Sequence, residues 1–177
     1  MNTYQTKISV IDPKVEESLK EALNHIVPQA LGLTFHLSVT VFQDNWDSSM
    51  LSNLNHGGEV HILGDWNGSI VLRFEEALPL HLVEKLYGEE CRDIRDPRVD
   101  EVVRELVNMV GGNLKSLLGE KCILSVPKSH LTGDYRGEVS QSRQWLSGLY
   151  EIDGIKLHAS VWGCSEDIDQ FVKKETS

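Results

Sequence analysis

Two side chains that could do chemistry stand three residues apart in the second half of the chain, Glu105 and Asn108. A carboxylate can pair with a cation, while a carboxamide can both accept a hydrogen bond from water and donate one to it. Residues three apart on a helix are neighbours on its surface. The spacing Glu-x-x-Asn is nevertheless common on wet helix faces, so it identifies no function by itself.

The segment that carries the pair is predicted to be a long helix over 98–118. Asp96-Pro97 supplies a cap and a first-turn proline, and Gly119 ends the pattern. With an advance of about 100° per residue, Glu105 and Asn108 share one face with Glu101 and Gly112. The opposite face is the predicted core stripe, formed by Val99, Val103, Leu106, Val110, Leu114 and Leu117. We therefore expect Glu105 and Asn108 to be exposed.

A glycine pair, Gly111-Gly112, interrupts this helix just after Asn108. Each glycine costs roughly 0.5–1 kcal/mol relative to alanine in a helix interior, so the pair needs a reason. One explanation is that another protein's backbone approaches the polar face there. The other is close packing inside the protein, and the sequence leaves both open.

The segment 105–116, Glu-Leu-Val-Asn-Met-Val-Gly-Gly-Asn-Leu-Lys-Ser, resembles the CheC/CheX/FliY group of chemotaxis phosphatases. That group has Glu-x-x-Asn on a helix, small residues just after it and a proline that closes the next strand, here Pro127. The stretch 68–74 is also similar to the part of CheX that precedes this helix. Glu101 departs from the family, which often has Asp or Ser at that position.

The order of elements predicts an internal duplication, in which a helix and three strands occur over 14–74 and again over 97–162. The resemblance implies an α+β, CheC-like fold, with one antiparallel sheet and the long helices packed on one face. We expect a single domain over 1–165 and a charged tail over 166–177. The predicted elements are helices at 14–31, 75–87 and 98–118, and strands at 5–10, 35–43, 61–63, 69–74, 121–126, 144–151 and 155–162.

The first helix echoes the second, because Glu21 and Asn24 align with Glu105 and Asn108. Pro28 stands where the second helix has Gly112, and proline inside a helix kinks or ends it. CheC-type proteins have two active helices and CheX-type proteins one. We therefore expect a single working site, on the second repeat, as in CheX.

The resemblance implies a phosphatase that hydrolyses the aspartyl phosphate of a CheY-like response-regulator receiver domain, in chemotaxis or another two-component pathway. Asn108 would orient the water, and Glu105 would pair with the receiver's lysine. The protein would need no cofactor of its own, since the receiver brings Mg²⁺. By the same analogy it would be a homodimer joined through sheet edges. The alternative is a non-catalytic adaptor that binds a receiver or a flagellar or signalling partner.

The composition favours a cytoplasmic protein. The formal net charge of −10 argues against nucleic acid and anionic membranes as partners. No apolar run approaches the ~20 residues of a spanning helix, and the first residues do not resemble a signal peptide. The three cysteines are scattered, as in a reducing compartment: Cys91, Cys122 and Cys164.

Other candidate sites are weak. His56, Glu59 and His61 lie close in sequence but lack a credible set of further ligands, so no metal site is expected. Ser125 and His130 have neither an orienting acid nor an elbow motif. A third possibility is an unrelated α+β protein whose Glu-x-x-Asn is accidental. Burial of both side chains would exclude the phosphatase interpretation.

Overall fold

The structure is a computed structural model that describes residues 13–42, 46–118, 121–133, 135–137 and 142–163. The predicted strand at 5–10 and the tail at 166–177 lie outside these residues. The elements are α1 (Pro13–Phe35), β1 (Val39–Phe42), a 3₁₀ turn (Ser48–Leu51), β2 (His56–Leu63), β3 (Gly68–Phe74), α2 (Ala77–Tyr87), α3 (Pro97–Leu118), β4 (Ile123–Leu124), β5 (Lys128–His130), β6 (Arg143–Ile152) and β7 (Ile155–Gly163).

Seven strands of the described residues form one antiparallel sheet in the order β1-β6-β7-β3-β2-β4, and β5 also pairs with β2. Strands β7 and β3 adjoin at the centre, and β6 and β2 flank them. β1 joins the sheet beside β6, and β4 and β5 join it beside β2, so strands that precede α2 and strands that follow α3 interlock. The predicted α+β class with one antiparallel sheet is confirmed. The bounds of the domain and of the repeats stay predictions.

Helices α1, α2 and α3 pack against one face of the sheet. Apolar side chains of α1, α2 and α3 join those from alternate positions of the strands in one core, including Leu23, Leu31, Val107, Ile70 and Val161. The opposite face is partly covered by the segments before β2 and after β5. Arg73 on that face donates to the carbonyl of Leu54, and Trp46 contacts His158 edge-on.

Helix α1 continues past Pro28 and ends at Phe35, so the predicted end near 31 was wrong. The helix ends where His36 takes a positive φ of 56°, and the Leu37 N–H donates to the Leu31 carbonyl at 3.5 Å. This is the backbone pattern of a left-handed C-terminal cap. Proline therefore does not terminate the first helix here.

The edge of the sheet near α3 differs from the prediction. β2 begins at His56, five residues before the strand predicted at 61–63, and β5 lies where no strand was predicted. β4 covers only Ile123–Leu124 of the strand predicted over 121–126. A Cβ on Gly57 would lie 2.4 Å from the Leu72 carbonyl oxygen, and one on Gly58 would lie 2.6 Å from Val107. The two glycines therefore serve close packing within a strand rather than a turn.

Candidate functional site

The N-terminus of α3 is fixed by Asp96. Its carboxylate accepts from the Arg98 N–H at 2.9 Å and pairs with the Arg98 guanidinium at 2.7 Å. Arg98 also reaches Glu89 at 2.9 Å. These hydrogen bonds from Arg98 lower the pKa of Asp96 to about 2, so the cap stays ionised at neutral pH. The predicted Asp-Pro cap is confirmed, and it satisfies a backbone N–H at the start of the helix.

Glu105 and Asn108 lie in the middle of α3, and both are exposed, as the helical pattern predicted. Among the residues that the structure describes, neither side chain has a hydrogen-bond or ion-pair partner. The core stripe behind them is buried as predicted from Val99 to Leu114. Leu117 is an exception, because it is 54% exposed rather than part of the core.

The two glycines of α3 have different surroundings. Gly111 is buried, and a Cβ there would lie 2.6 Å from the Val60 side chain. Gly112 is half-buried, and a Cβ there would meet only Leu124, at 4.0 Å. Close packing inside the protein therefore explains Gly111. Gly112, one helical turn from Asn108, leaves an open surface that a partner could approach.

The charged neighbours of the pair are already engaged. Glu101 accepts a hydrogen bond from the Tyr87 hydroxyl at 3.1 Å, and Arg104 pairs with Asp100 at 2.9 Å. Desolvation, followed by the contact with Glu101, raises the pKa of Tyr87. The contact between Tyr87 and Glu101 joins α2 to α3, and no motif in the sequence indicates it. Glu105 and Asn108 thus remain available between occupied groups.

The matching pair on α1 is arranged differently. Glu21 is exposed, but Asn24 accepts a hydrogen bond from the Tyr150 hydroxyl at 3.0 Å. Tyr150 is fully buried, so Asn24 is directed towards the sheet. Helix α1 therefore has no free Glu–Asn face. The cause is this hydrogen bond to β6, not a break of the helix at Pro28.

The other polar candidates have structural contacts. His61 bonds Ser69 at 2.6 Å, and His56 bonds the Leu131 carbonyl at 3.1 Å. The described residues contain no group of three or more histidine, cysteine, aspartate or glutamate side chains that could hold a metal ion. Within the same residues, no helix is long and apolar enough to cross a membrane.

The fold is shared with several solved structures. CheX from Vibrio vulnificus aligns with a TM-score of 0.67 at 16% identity, over 80% of this chain and 93% of that one. A complex of CheX with CheY, BeF₃ and Mg²⁺ from Borrelia burgdorferi aligns at 0.60 and 16% identity, over 80% and 94%. Thermotoga maritima FliY aligns at 0.58 and 14% identity, over 93% and 96%.

A search of curated proteins finds no match. The family model described as "Chemotaxis phosphatase CheX" matches residues 57–147, which is half of the chain. The matched segment begins in β2, includes α2 and α3 and ends in β6, so it contains the exposed Glu–Asn face. This chain belongs to the CheX family of chemotaxis phosphatases.

Proposed function

We propose that this protein hydrolyses the aspartyl phosphate of a CheY-like receiver domain in chemotaxis or another two-component pathway. Asn108 orients the attacking water, and Glu105 pairs with a lysine of the receiver. The observation that carries the proposal is the Glu105–Asn108 pair at the centre of α3, which is exposed and has no partner among the described residues, in a chain of the CheX family.

The phosphatase contributes to this reaction mainly by positioning the attacking water and the receiver. Water attacks phosphorus, the bond between phosphorus and the aspartate oxygen breaks, and free carboxylate, inorganic phosphate and a proton are released. A side-chain amide that holds the water in line lowers the entropic part of the barrier, as in other phosphoryl transfers. Asn108 suits this task because a carboxamide can accept and donate, and it carries no charge that would repel phosphate.

Glu105 has a different role, since a carboxylate that faced the phosphoryl group would be repelled by it. A carboxylate can instead make a charge-assisted hydrogen bond to a lysine, which is stronger where water is excluded. Glu105 has no partner among the described residues, so its charge is free for a docked protein. In this proposal Glu105 docks the receiver and Asn108 positions the water.

The Borrelia complex supports the choice of partner and of metal source. In that structure a CheX is combined with CheY, BeF₃ and Mg²⁺. By analogy, the Mg²⁺ in this reaction belongs to the receiver and not to this protein. We also place the protein in the cytoplasm, as a homodimer joined through sheet edges.

A second candidate is an adaptor that binds a receiver or a flagellar or signalling partner without hydrolysis. The feature that favours it is Glu101, which replaces the Asp or Ser often present in the family and is held by Tyr87. The acceleration of phosphate release from a phosphorylated receiver by this protein distinguishes the two functions. An adaptor would bind the receiver and leave its rate of dephosphorylation unchanged.

The role of Glu105 is tested by Glu105→Lys, with Glu21→Lys as a control that makes the same charge change on α1. Affinity is measured for a receiver loaded with BeF₃ and Mg²⁺, so that binding is separated from turnover. Glu105→Lys should weaken binding at least about tenfold, because it replaces the carboxylate that pairs with the receiver's lysine by a second cation. Glu21→Lys should have little effect. Equal affinity of the parent and Glu105→Lys would remove the assigned role.

A further inference from the structure

The edge of the sheet beside α3 contains a bulge. Leu124 of β4 pairs opposite Ile62, and Lys128 of β5 pairs opposite Glu59. Between these points β2 has two residues while the edge has three, so the edge carries one extra residue. Ser125 remains paired, because its N–H donates to the His61 carbonyl at 2.9 Å and its hydroxyl accepts from the His61 N–H at 3.0 Å. The bulge therefore falls on the next two residues, 126 and 127.

This edge runs alongside α3 over the length of the candidate site. At one end Leu124 lies beside Gly111 and Gly112, and at the other the Ser129 hydroxyl bonds Asp100. Five residues of extended chain and eleven residues of helix each span about 16 Å. The edge from Leu124 to Ser129 therefore has about the same length as α3 from Gly111 to Asp100. Val126, two residues beyond Leu124, therefore lies at about the same position along the α3 axis as Asn108.

Val126 is the apolar side chain that this bulge presents. It is 76% exposed, and it lies between Leu124 and Ser129, which are both beside α3. Ile123, which is 64% exposed, pairs opposite Leu63 and lies on the other face of the sheet. Ile123 and Val126 are thus similar exposed apolar residues of one edge, and Val126 is the one that lies between the two residues beside α3.

We infer that Val126 is a docking contact for the receiver, and that it meets an apolar side chain beside the receiver's phosphorylation site. This rests on the proposed function. Val126 lies beside the stretch of α3 that carries Glu105 and Asn108, and this pair is otherwise bordered by the charged groups Glu101 and Arg104. An apolar contact at this border excludes water around the central polar contacts, as the near-neutral surroundings of binding hot spots do. Bulges commonly re-aim a side chain next to a functional site.

The test compares Val126→Asp with the matched control Ile123→Asp. For release of phosphate from the phosphorylated receiver, Val126→Asp should raise KM about tenfold and change kcat less than twofold. Ile123→Asp should leave both near the parent values, and Val126→Ile should retain the parent KM. An unchanged KM in Val126→Asp, or an equal rise in Ile123→Asp, would overturn the inference.

Two further readouts separate the alternatives. Affinity for the receiver loaded with BeF₃ and Mg²⁺ tests docking even where no turnover occurs, so failure of the proposed hydrolysis is distinguished from failure of this contact. Light scattering reports the oligomeric state. Val126→Asp should have the same mass as the parent, and a change of mass would assign the contact to a second copy of this chain and overturn the inference.

Discussion

Asn24 and Asn108 are the same residue type at matching positions of α1 and α3, yet their side chains have different surroundings. Asn24 accepts a hydrogen bond from buried Tyr150, whereas Asn108 is exposed and has no partner among the described residues. The asparagine of α1 is thus part of the packing, whereas the asparagine of α3 remains available for the proposed water.

Asn24→Ala should destabilise the protein without affecting the proposed site. The substitution leaves the Tyr150 hydroxyl buried without its acceptor, which costs about 1–3 kcal/mol. Urea denaturation should show a lower free energy of unfolding, while the rate of phosphate release stays at the parent value. Parent-like stability would mean that the hydrogen bond between the two side chains contributes nothing.

The sequence predicted the side of α3 on which each residue lies, but not what lies next to it. Exposure of Glu105 and Asn108 follows from helical periodicity, because they are opposite the apolar stripe. Leu117 belongs to the same stripe but is exposed, since periodicity does not reveal whether a neighbour covers a position. The contacts of Asn24 and Glu101 involve residues of other elements, so no local pattern contains them.

Among the elements, the predicted long helices and central strands were found, while near the α3 edge only part of the strand predicted at 121–126 was found and β5 was missed. Segments 56–58 and 128–130 contain glycine or polar residues that are typical of loops. They form strands because β2 is paired on both sides and its glycines allow close approach of α3 and Tyr135. Such pairing joins residues far apart in sequence, so it cannot be derived from local composition.

Substitution of alanine for each of the two glycines of α3 should have opposite effects on the stability of the protein. Gly111→Ala should destabilise the protein, because overpacking against Val60 costs about 1–3 kcal/mol and outweighs the gain in helix propensity. Gly112→Ala should stabilise it by about 0.5–1 kcal/mol, since its Cβ would meet little.

Thermal unfolding and phosphate release together test this difference. Gly112→Ala should slow phosphate release despite its higher stability, because the new methyl group lies where the receiver approaches. A Gly111→Ala variant more stable than the parent would contradict internal packing. A Gly112→Ala variant as fast as the parent would show that the open surface has no part in docking.

At the scale of the whole molecule, the two faces of the sheet are both partly covered, and the face away from the helices buries a histidine. His158 is 4% exposed, and neither ring nitrogen has a hydrogen-bond partner among the described residues. Burial, with a smaller contribution from the charge of Arg73, lowers the pKa of His158 to about 4. The histidine is therefore neutral in the folded protein at neutral pH.

This burial predicts a loss of stability in mild acid. As pH falls below about 6.5 the unfolded chain binds a proton at His158, while the folded protein does so only near pH 4. Neutral His158 therefore contributes stability above pH 6.5 that is lost between pH 6.5 and 4, up to about 3 kcal/mol.

The measurement is the free energy of unfolding in urea across this pH range. His158→Leu should flatten the dependence on pH, whereas the exposed control His25→Leu should follow the parent. Parallel curves for His158→Leu and the parent would contradict the assignment of this acid sensitivity to His158.

The rate of phosphate release from a phosphorylated receiver tests the proposed role of Asn108 in hydrolysis. The rate is measured with the parent, with Asn108→Ala and with the control Asn24→Ala. We predict that the parent accelerates release and that Asn108→Ala loses at least about tenfold of that rate, because an orienting group for the water is gone. Asn24→Ala should release phosphate as fast as the parent. An Asn108→Ala variant with the full parent rate would contradict the proposed mechanism.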